Sequence, residues 1–260
     1  MSNKKGFMCC ASLILAAVFV SGCSTLPKGS ANSDAMDERD PWENYNRKMF
    51  AFNRKVDKTV LAPAARGYKR IVPSPIRTGV NNFFLNLEEP VTIVNDLLQG
   101  KFIRAGKDTT RFLINSTLGL AGIVDIASDL NLDKNDEDFG QTFAVWGFGS
   151  GPYIELPFLG PSNLRDGFGL VGEVVYLDPL DDLVPSKTEY ALKVVEIIDL
   201  RSQFLGSEKV LDQQLDPYLY LRDAYRQRRR NQIYDGNPPL EDDAAFFNED
   251  ELFDDDEESE

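Results

Sequence analysis

The chain has 260 residues, with 42 acidic against 28 basic side chains, a net charge of −14 and no histidine. That absence excludes His-based catalytic triads and His metal sites, and the only thiols are Cys9, Cys10 and Cys23. The charge is unevenly spread: thirteen acidic and no basic residues lie between Asp235 and Glu260, so the remainder is nearly neutral and lacks the basic balance of a nucleic-acid binder.

Residues 1–22 begin with Lys4 and Lys5, run through an almost wholly apolar stretch at 7–20 and end on Ser21-Gly22. This is the pattern of a secretory signal peptide, and the stretch is shorter than the roughly 20 residues that span a bilayer. Val20-Ser21-Gly22-Cys23 resembles a bacterial lipobox, which implies acylation of Cys23 and loss of Cys9 and Cys10 with the signal. A thiol consumed by lipid leaves neither thiol catalysis nor a Cys-ligated metal. Each buried acyl CH₂ contributes about 0.8 kcal/mol and one chain binds only marginally, so three hold the protein on a membrane. Ser24, where lipoproteins kept at the inner membrane carry aspartate, implies by the same resemblance the outer membrane of a Gram-negative cell. Residues 23–40, small and polar, read as a flexible tether.

Asp40-Pro41 opens a helix whose apolar positions Trp42, Tyr45, Met49, Phe52 and Val56 recur at helical spacing. Ser74-Pro75 opens a second, with Ile76, Val80, Phe83, Phe84 and Leu87 as its stripe. Glu89-Pro90 reads as the start of a third, closed by Gly100. A fourth runs from Lys101 to about Leu118. The short apolar segments 121–130, broken by Asp125, and 139–146 follow. "YIELPFLGP" at 153–161 has strand-like residues, but its prolines and glycine favour an extended connector over a sheet. Ser162 is expected to cap a helix to about Val175. Ser186 is expected to cap another, with Tyr190, Ala191, Val194, Val195 and Ile198 on one face. Asp216-Pro217 starts the last, ending near Tyr234. Residues 235–260 read as a disordered, solvated acidic tail, with a weak docking motif at Phe246, Phe247 and Phe253 as the less favoured alternative.

The expected class is therefore all-α, residues 41–234 forming one helical domain. Its helices, about 10 to 18 residues long, are too short to cross a bilayer upright and apolar enough to lie in one leaflet. No G-x-S-x-G elbow is present, and no pair of carboxylates stands out for glycosidase chemistry. "GFGLVG" at 167–172 fits G-x-G-x-x-G without the strand that a dinucleotide site needs; Gly169 and Gly172 are expected instead to let two backbones approach. "GFGSG" at 147–151 lacks the Lys-Ser/Thr of a phosphate loop and reads as a hinge or hairpin tip.

Several blocks resemble the MlaA (VacJ) lipoprotein family: "DPWENYNRKMFAFN" at 40–53, "NNFFLNLEEPVTIVNDLLQG" at 81–100, "RFLINSTLGLAGIVDIA" at 111–127, "DFGQTFAVWGFGSGPYIELPFLGPSNLRD" at 138–166 and "DPYLYLRDAYRQRR" at 216–229. The likeness covers about residues 40–232. It implies a ring of amphipathic helices in the inner leaflet of the outer membrane, beside a trimeric porin. Through its polar channel, mislocalised phospholipids leave the outer leaflet for a soluble periplasmic lipid carrier. No enzyme activity, cofactor or metal is implied. The rivals are a scaffold lipoprotein that binds porins and moves nothing, and a phospholipid-degrading enzyme.

Moving a headgroup through hydrocarbon is slow because desolvating an uncompensated ion costs on the order of tens of kcal/mol. A wet polar wall removes that barrier without a nucleophile. The candidate wall residues are Asn44, Asn46, Asn53, Asn82, Asn86, Asn95 and Asn115, whose bland alternative is capping and loop duty; Lys187 and Lys193 either draw the phosphate or, the favoured reading for each alone, sit on a solvated face. Arg222, Arg226, Arg228, Arg229 and Arg230 suit the helix dipole or contact with anionic headgroups, at about 1 kcal/mol per charge. Gly147, Gly149, Gly151 and Pro152 form a candidate gating hairpin, and alanine at Gly149 and Gly151 is expected to alter lipid flux in a protein that still folds.

Overall fold

The structure, a computed structural model, describes residues 40–177, 180 and 184–239. The signal peptide, the Cys23 lipobox and nearly all of the tether lie outside the described residues, as does the acidic run after Pro239. The described chain is mostly helical, with one two-stranded sheet.

Helix α1, Glu43–Val56, passes through a π-helical turn, Asp57–Leu61, directly into α2, Ala62–Ile71. Helix α3 then runs from Ser74 to Leu98, 25 residues. The sequence suggests a break at Glu89-Pro90, but Pro90 lies inside the helix. An interior proline costs about 3 kcal/mol; the close packing of α3 along α4, Phe102–Thr117, offsets that cost and holds both halves in line.

The short helix α5, Ile126–Asp129, starts where Asp125 accepts a bond from the Ser128 amide. Asp138 caps α6, Phe139–Val145, in the same way through Gln141. Strands β1, Tyr153–Leu156, and β2, Gly160–Asn163, pair antiparallel with Tyr153 opposite Asn163 and Leu156 opposite Gly160. This hairpin corrects the reading of 153–161 as an extended connector. Positive φ at Phe158 (65°) and Gly160 (85°) turns the chain back, and α1 holds the first strand from one side, as described below.

Helix α7, Leu164–Tyr176, is capped by Asn163, the last residue of β2, and not by Ser162 one residue earlier in that strand. The longer amide side chain of Asn163 reaches the Asp166 N–H at 2.8 Å. Helix α8, Ser186–Gln203, packs on α2 and α3; α9, Ser207–Asp212, and α10, Pro217–Ile233, close the described fold. Ser186 is the first helical residue of α8, with Pro185 at the cap. Asp216 caps α10 as its Asp-Pro start suggests. Gly169 stands at the contact of α7 with α6, where a Cβ would lie 2.6 Å from the Gly140 amide nitrogen, so the close approach expected there is real.

Among the described residues, buried polar and charged side chains outnumber buried apolar ones. The small apolar core is Phe50, Tyr153 and Tyr218, whose rings meet edge to face. The large apolar side chains lie mostly outside: Trp42, Tyr45, Ile76, Phe102, Ile103, Phe168, Val171 and Tyr190 are all exposed. The stripe of α1 thus points out, while Asn46, 0 % exposed, and Phe50 point in. Soluble proteins rarely expose apolar side chains so densely, and such a surface marks an interface with lipid or protein. No described helix is long and apolar enough to cross a membrane.

Candidate functional site

The inward faces of α3 and α4 carry polar residues at helical spacing: Asn82, Asn86, Glu89, Thr92 and Asp96 on one, Asp108, Arg111 and Asn115 on the other. Where the helices meet, Arg111 bonds Glu89 at 2.9 Å, Asp125 at 2.8 Å, Ser128 at 3.1 Å and the Leu132 carbonyl. Asn115 donates to Asp125 at 2.9 Å and accepts from the Ala127 amide at 3.0 Å. Burial works to raise the Asp125 carboxyl, but hydrogen bonds from Ser128, Arg111 and Asn115 hold it at about 2. Asn86 donates to Ser116 at 3.0 Å, and its side-chain Oδ1 is buried without a partner among the described residues.

Nearer the C-terminus of α3, Glu137 takes Lys101 at 2.7 Å and Arg104 at 3.2 Å, and both cations also reach Asp235. Asp235, the expected first residue of the tail, is therefore tied to the helical body. Asp108 accepts two bonds from Asn135, at 3.1 and 2.9 Å. Asp96 is wholly buried, and among the described residues neither of its carboxyl oxygens finds a hydrogen-bond donor. Asn95 accepts from Thr142 at 2.7 Å and donates to the Val91 carbonyl.

A second polar assembly ties α1 to the hairpin and α10. Asn46 donates to Asp40 and to the Tyr153 carbonyl, and accepts from the Glu155 amide at 2.9 Å. Asn53 clamps the other end of β1 through Glu155, the Leu156 carbonyl and the Phe158 amide. Asp40 also takes Tyr218 and Arg222. About two turns further along the same face of α10, Arg229 pairs with Asp138 at 2.5 Å and Asp166 at 3.0 Å.

The sequence-derived candidates thus fall into different places. Asn46, Asn53, Asn95 and Asn115 are brought inside and spend their amides on the fold. Asn86 is inside with one oxygen spare, Asn82 donates to the Ile123 carbonyl at 3.2 Å, and Asn44 is exposed. Lys187 is exposed, and Lys193 reaches Glu189 at 2.9 Å one turn back on α8. Arg222 and Arg229 are not headgroup contacts in this structure: both are buried on internal carboxylates. Arg226 lies over the Tyr153 ring, and Arg230 donates to the Pro239 carbonyl. Composition alone did not single out Glu89, Asp96, Asp108 or Arg111. Their signal was the spacing of charges at three and four residues along two adjacent helices, which marks a polar stripe as surely as an apolar one.

The glycine loop after α6 has Gly147 at φ 92° and Gly151 at φ 66°. Its end is anchored by bonds from the Leu164 amide to the Pro152 carbonyl and from the Arg165 amide to Ser150. A Cβ on Gly149 meets nothing, whereas one on Gly151 meets Leu164 at 3.0 Å in a left-handed conformation. The two glycines therefore separate as tests of gating. Gly149→Ala should leave the stability, read from thermal melts, within about 0.5 kcal/mol of the parent. Gly151→Ala should lose about 1 kcal/mol to strain. Lipid flux altered by Gly149→Ala at unchanged stability would mark the loop as a gate; equal flux would remove it from consideration.

These features define a class: a mostly helical protein whose surface suits hydrocarbon and whose interior suits water and charge. A family model described as "MlaA lipoprotein" matches residues 38–232. Curated proteins called "Intermembrane phospholipid transport system lipoprotein MlaA" are similar: those of Shigella flexneri and Escherichia coli K12 are each 36% identical over 221 residues, covering 84% of this chain and 85% of theirs. The Haemophilus influenzae protein of that name is 34% identical over 227 residues, covering 86% of this chain and 89% of its own. A solved structure described under "Structural basis for maintenance of bacterial outer membrane lipid asymmetry" aligns with TM-score 0.66 and 37% identity, over 76% of this chain and 99% of that one. The chain belongs to the MlaA lipoprotein family, and is a membrane-associated lipoprotein.

Proposed function

We propose that this protein transports phospholipids between membranes as a passive conduit. It sits in the periplasmic leaflet of the outer membrane, anchored at acylated Cys23, takes phospholipids out of the outer leaflet through a polar channel and passes them to a soluble periplasmic carrier. A trimeric porin holds it at that depth. The observation that carries this reading is the inverted distribution of polarity, with Trp42, Ile103 and Val171 outside and Glu89, Asp96 and Arg111 inside. An apolar perimeter buries itself in acyl chains, and a polar interior lowers the cost of moving a charged headgroup. The relatives' shared name, and the subject of the similar structure, point the same way.

The test reconstitutes the full acylated protein in vesicles with fluorescent phospholipid in one leaflet and the purified carrier outside. Transfer to the carrier well above that from protein-free vesicles is expected, with no fatty acid or lysophospholipid released. Transfer at the protein-free rate would leave a porin-binding scaffold, and lipid breakdown would make the protein an enzyme.

A further inference from the structure

Beside α10 lies a cleft of about 350 Å³, walled by α7, the end of β2 and the cap of α6. Its charged lining is Asp138, Asp166, Glu173, Arg228 and Arg229. Arg229 is shared between Asp138 and Asp166, and Arg165 also bonds Asp166 at 2.9 Å, so those charges answer one another. Two groups are left over. Glu173 accepts only the Phe139 amide, at 2.6 Å, and forms no ion pair among the described residues. Arg228 is exposed on the same cleft and likewise forms none among them. A half-buried carboxylate and an exposed guanidinium, neither in an ion pair among the described residues, share one cleft and present the charge pattern that a zwitterion would complete.

We propose that this cleft recognises an ammonium-bearing phosphate ester, the headgroup of an aminophospholipid, with Glu173 taking the ammonium and Arg228 the phosphate. The inference rests on the phospholipid-transport reading and adds a headgroup preference to it. Leu170 and Pro161 supply the apolar part of the wall, and the Tyr225 hydroxyl is engaged by Asp166 and Asn163, so the ring is held in place. Burial pushes the Glu173 carboxyl up to about 7; the Phe139 amide opposes this, Asp138 and Asp136 add to it, and Arg229 opposes it again. An arriving ammonium supplies the direct ion-pair partner that Glu173 lacks among the described residues.

The full protein in detergent is titrated with soluble headgroups, glycerophosphoethanolamine against glycerol phosphate, ethanolamine and inorganic phosphate, by calorimetry. Wild type should prefer glycerophosphoethanolamine to glycerol phosphate by about tenfold, the value of one charge-assisted bond. Glu173→Gln keeps an acceptor for the Phe139 amide and should abolish the preference while sparing glycerol phosphate. Arg228→Gln, a surface change, should weaken both phosphate esters. Equal binding of the two esters by wild type, or an unchanged preference in Glu173→Gln, overturns the proposal. Inorganic phosphate bound as tightly as the ester does so too, since it reduces the cleft to a phosphate site. A parallel vesicle assay follows ethanolamine and glycerol phospholipids together. Transport of both without discrimination defeats the preference alone, and transport of neither defeats the functional reading while the titration still judges the cleft.

Discussion

Arg111→Met is expected to lower stability by about 3–5 kcal/mol, the cost of leaving a buried ion pair half broken. The Arg111 side chain is 4 % exposed and serves Glu89 and Asp125 at once, besides Ser128 and the Leu132 carbonyl. Its loss strands Glu89, 1 % exposed, whose other carboxyl oxygen already has no partner. Asp125 suffers less, because Asn115 and Ser128 still reach it. The companion change Glu89→Met should therefore restore a good part of the loss, since an apolar pair of similar volume is often neutral in place of a buried ion pair. Thermal melts of the four proteins of this cycle in detergent check both statements. At roughly 2–4 °C per kcal/mol for a chain of this size, the single change should cost about 10 °C. A loss below 1 kcal/mol would mean that water reaches Arg111, as it reaches surface pairs, and would move this cluster from the framework to the channel wall.

The elements that sequence made legible are those governed by local chemistry. Ser74-Pro75 and Asp216-Pro217 each stand at a helix start, and Gly100, at φ 77°, stands at the end of α3, whereas α1 begins at Glu43, after the Asp40-Pro41 expected to open it, with Trp42 in the cap position. Two boundaries were set by tertiary contacts instead. Pro90 does not break α3 because α4 lies along both halves, and 153–163 pairs as a hairpin because Asn46 and Asn53 of α1 bond its first strand. No window of nine residues carries either fact. The stripes of α1 and α3 were found, but a stripe does not say which way it faces. In water an apolar stripe faces in; in an acyl-chain solvent the sign reverses, and Ile76 is 58 % exposed where Glu89 is buried. The asparagines show the complement of this. Their amides were legible as polar groups in an apolar setting, while their partners, up to 109 residues away for Asn46 and Glu155, were not. The cations of α10 divide for the same reason: Arg222 and Arg229 meet carboxylates from distant segments, Asp40 and Asp138.

Asp96→Asn should stabilise the protein, and by an amount that grows with pH. Asp96 on α3 is wholly buried. Asp108 faces it from α4, Glu137 from the segment before α6, and Lys101 from the start of α4. Burial raises its carboxyl from 3.8 to about 7, with Asp108 and Glu137 adding to the shift and Lys101 opposing it. A group whose folded value lies above its unfolded one contributes stability that is complete below the unfolded value and is lost as pH rises through the folded one. Asp96 thus helps the fold at pH 4, and its help is gone above about pH 7, when the charged form must sit beside Asp108. Asparagine cannot ionise, and its amide can donate towards the Asp108 carboxylate. Wild type and variant should melt together near pH 4 and separate steadily up to pH 7. The gap should then level off at no more than about 4 kcal/mol, since each unit of displacement is worth about 1.4 kcal/mol. Tryptophan-fluorescence melts at pH 4, 5.5, 7 and 8.5 follow the gap, with Asn135→Asp as a second probe because it puts a third carboxylate against Asp108, where Asn135 now donates. Melting curves that stay parallel across the whole range would show that Asp96 keeps one charge state throughout, and that its buried oxygens meet a solvent path through the α3–α4 interior.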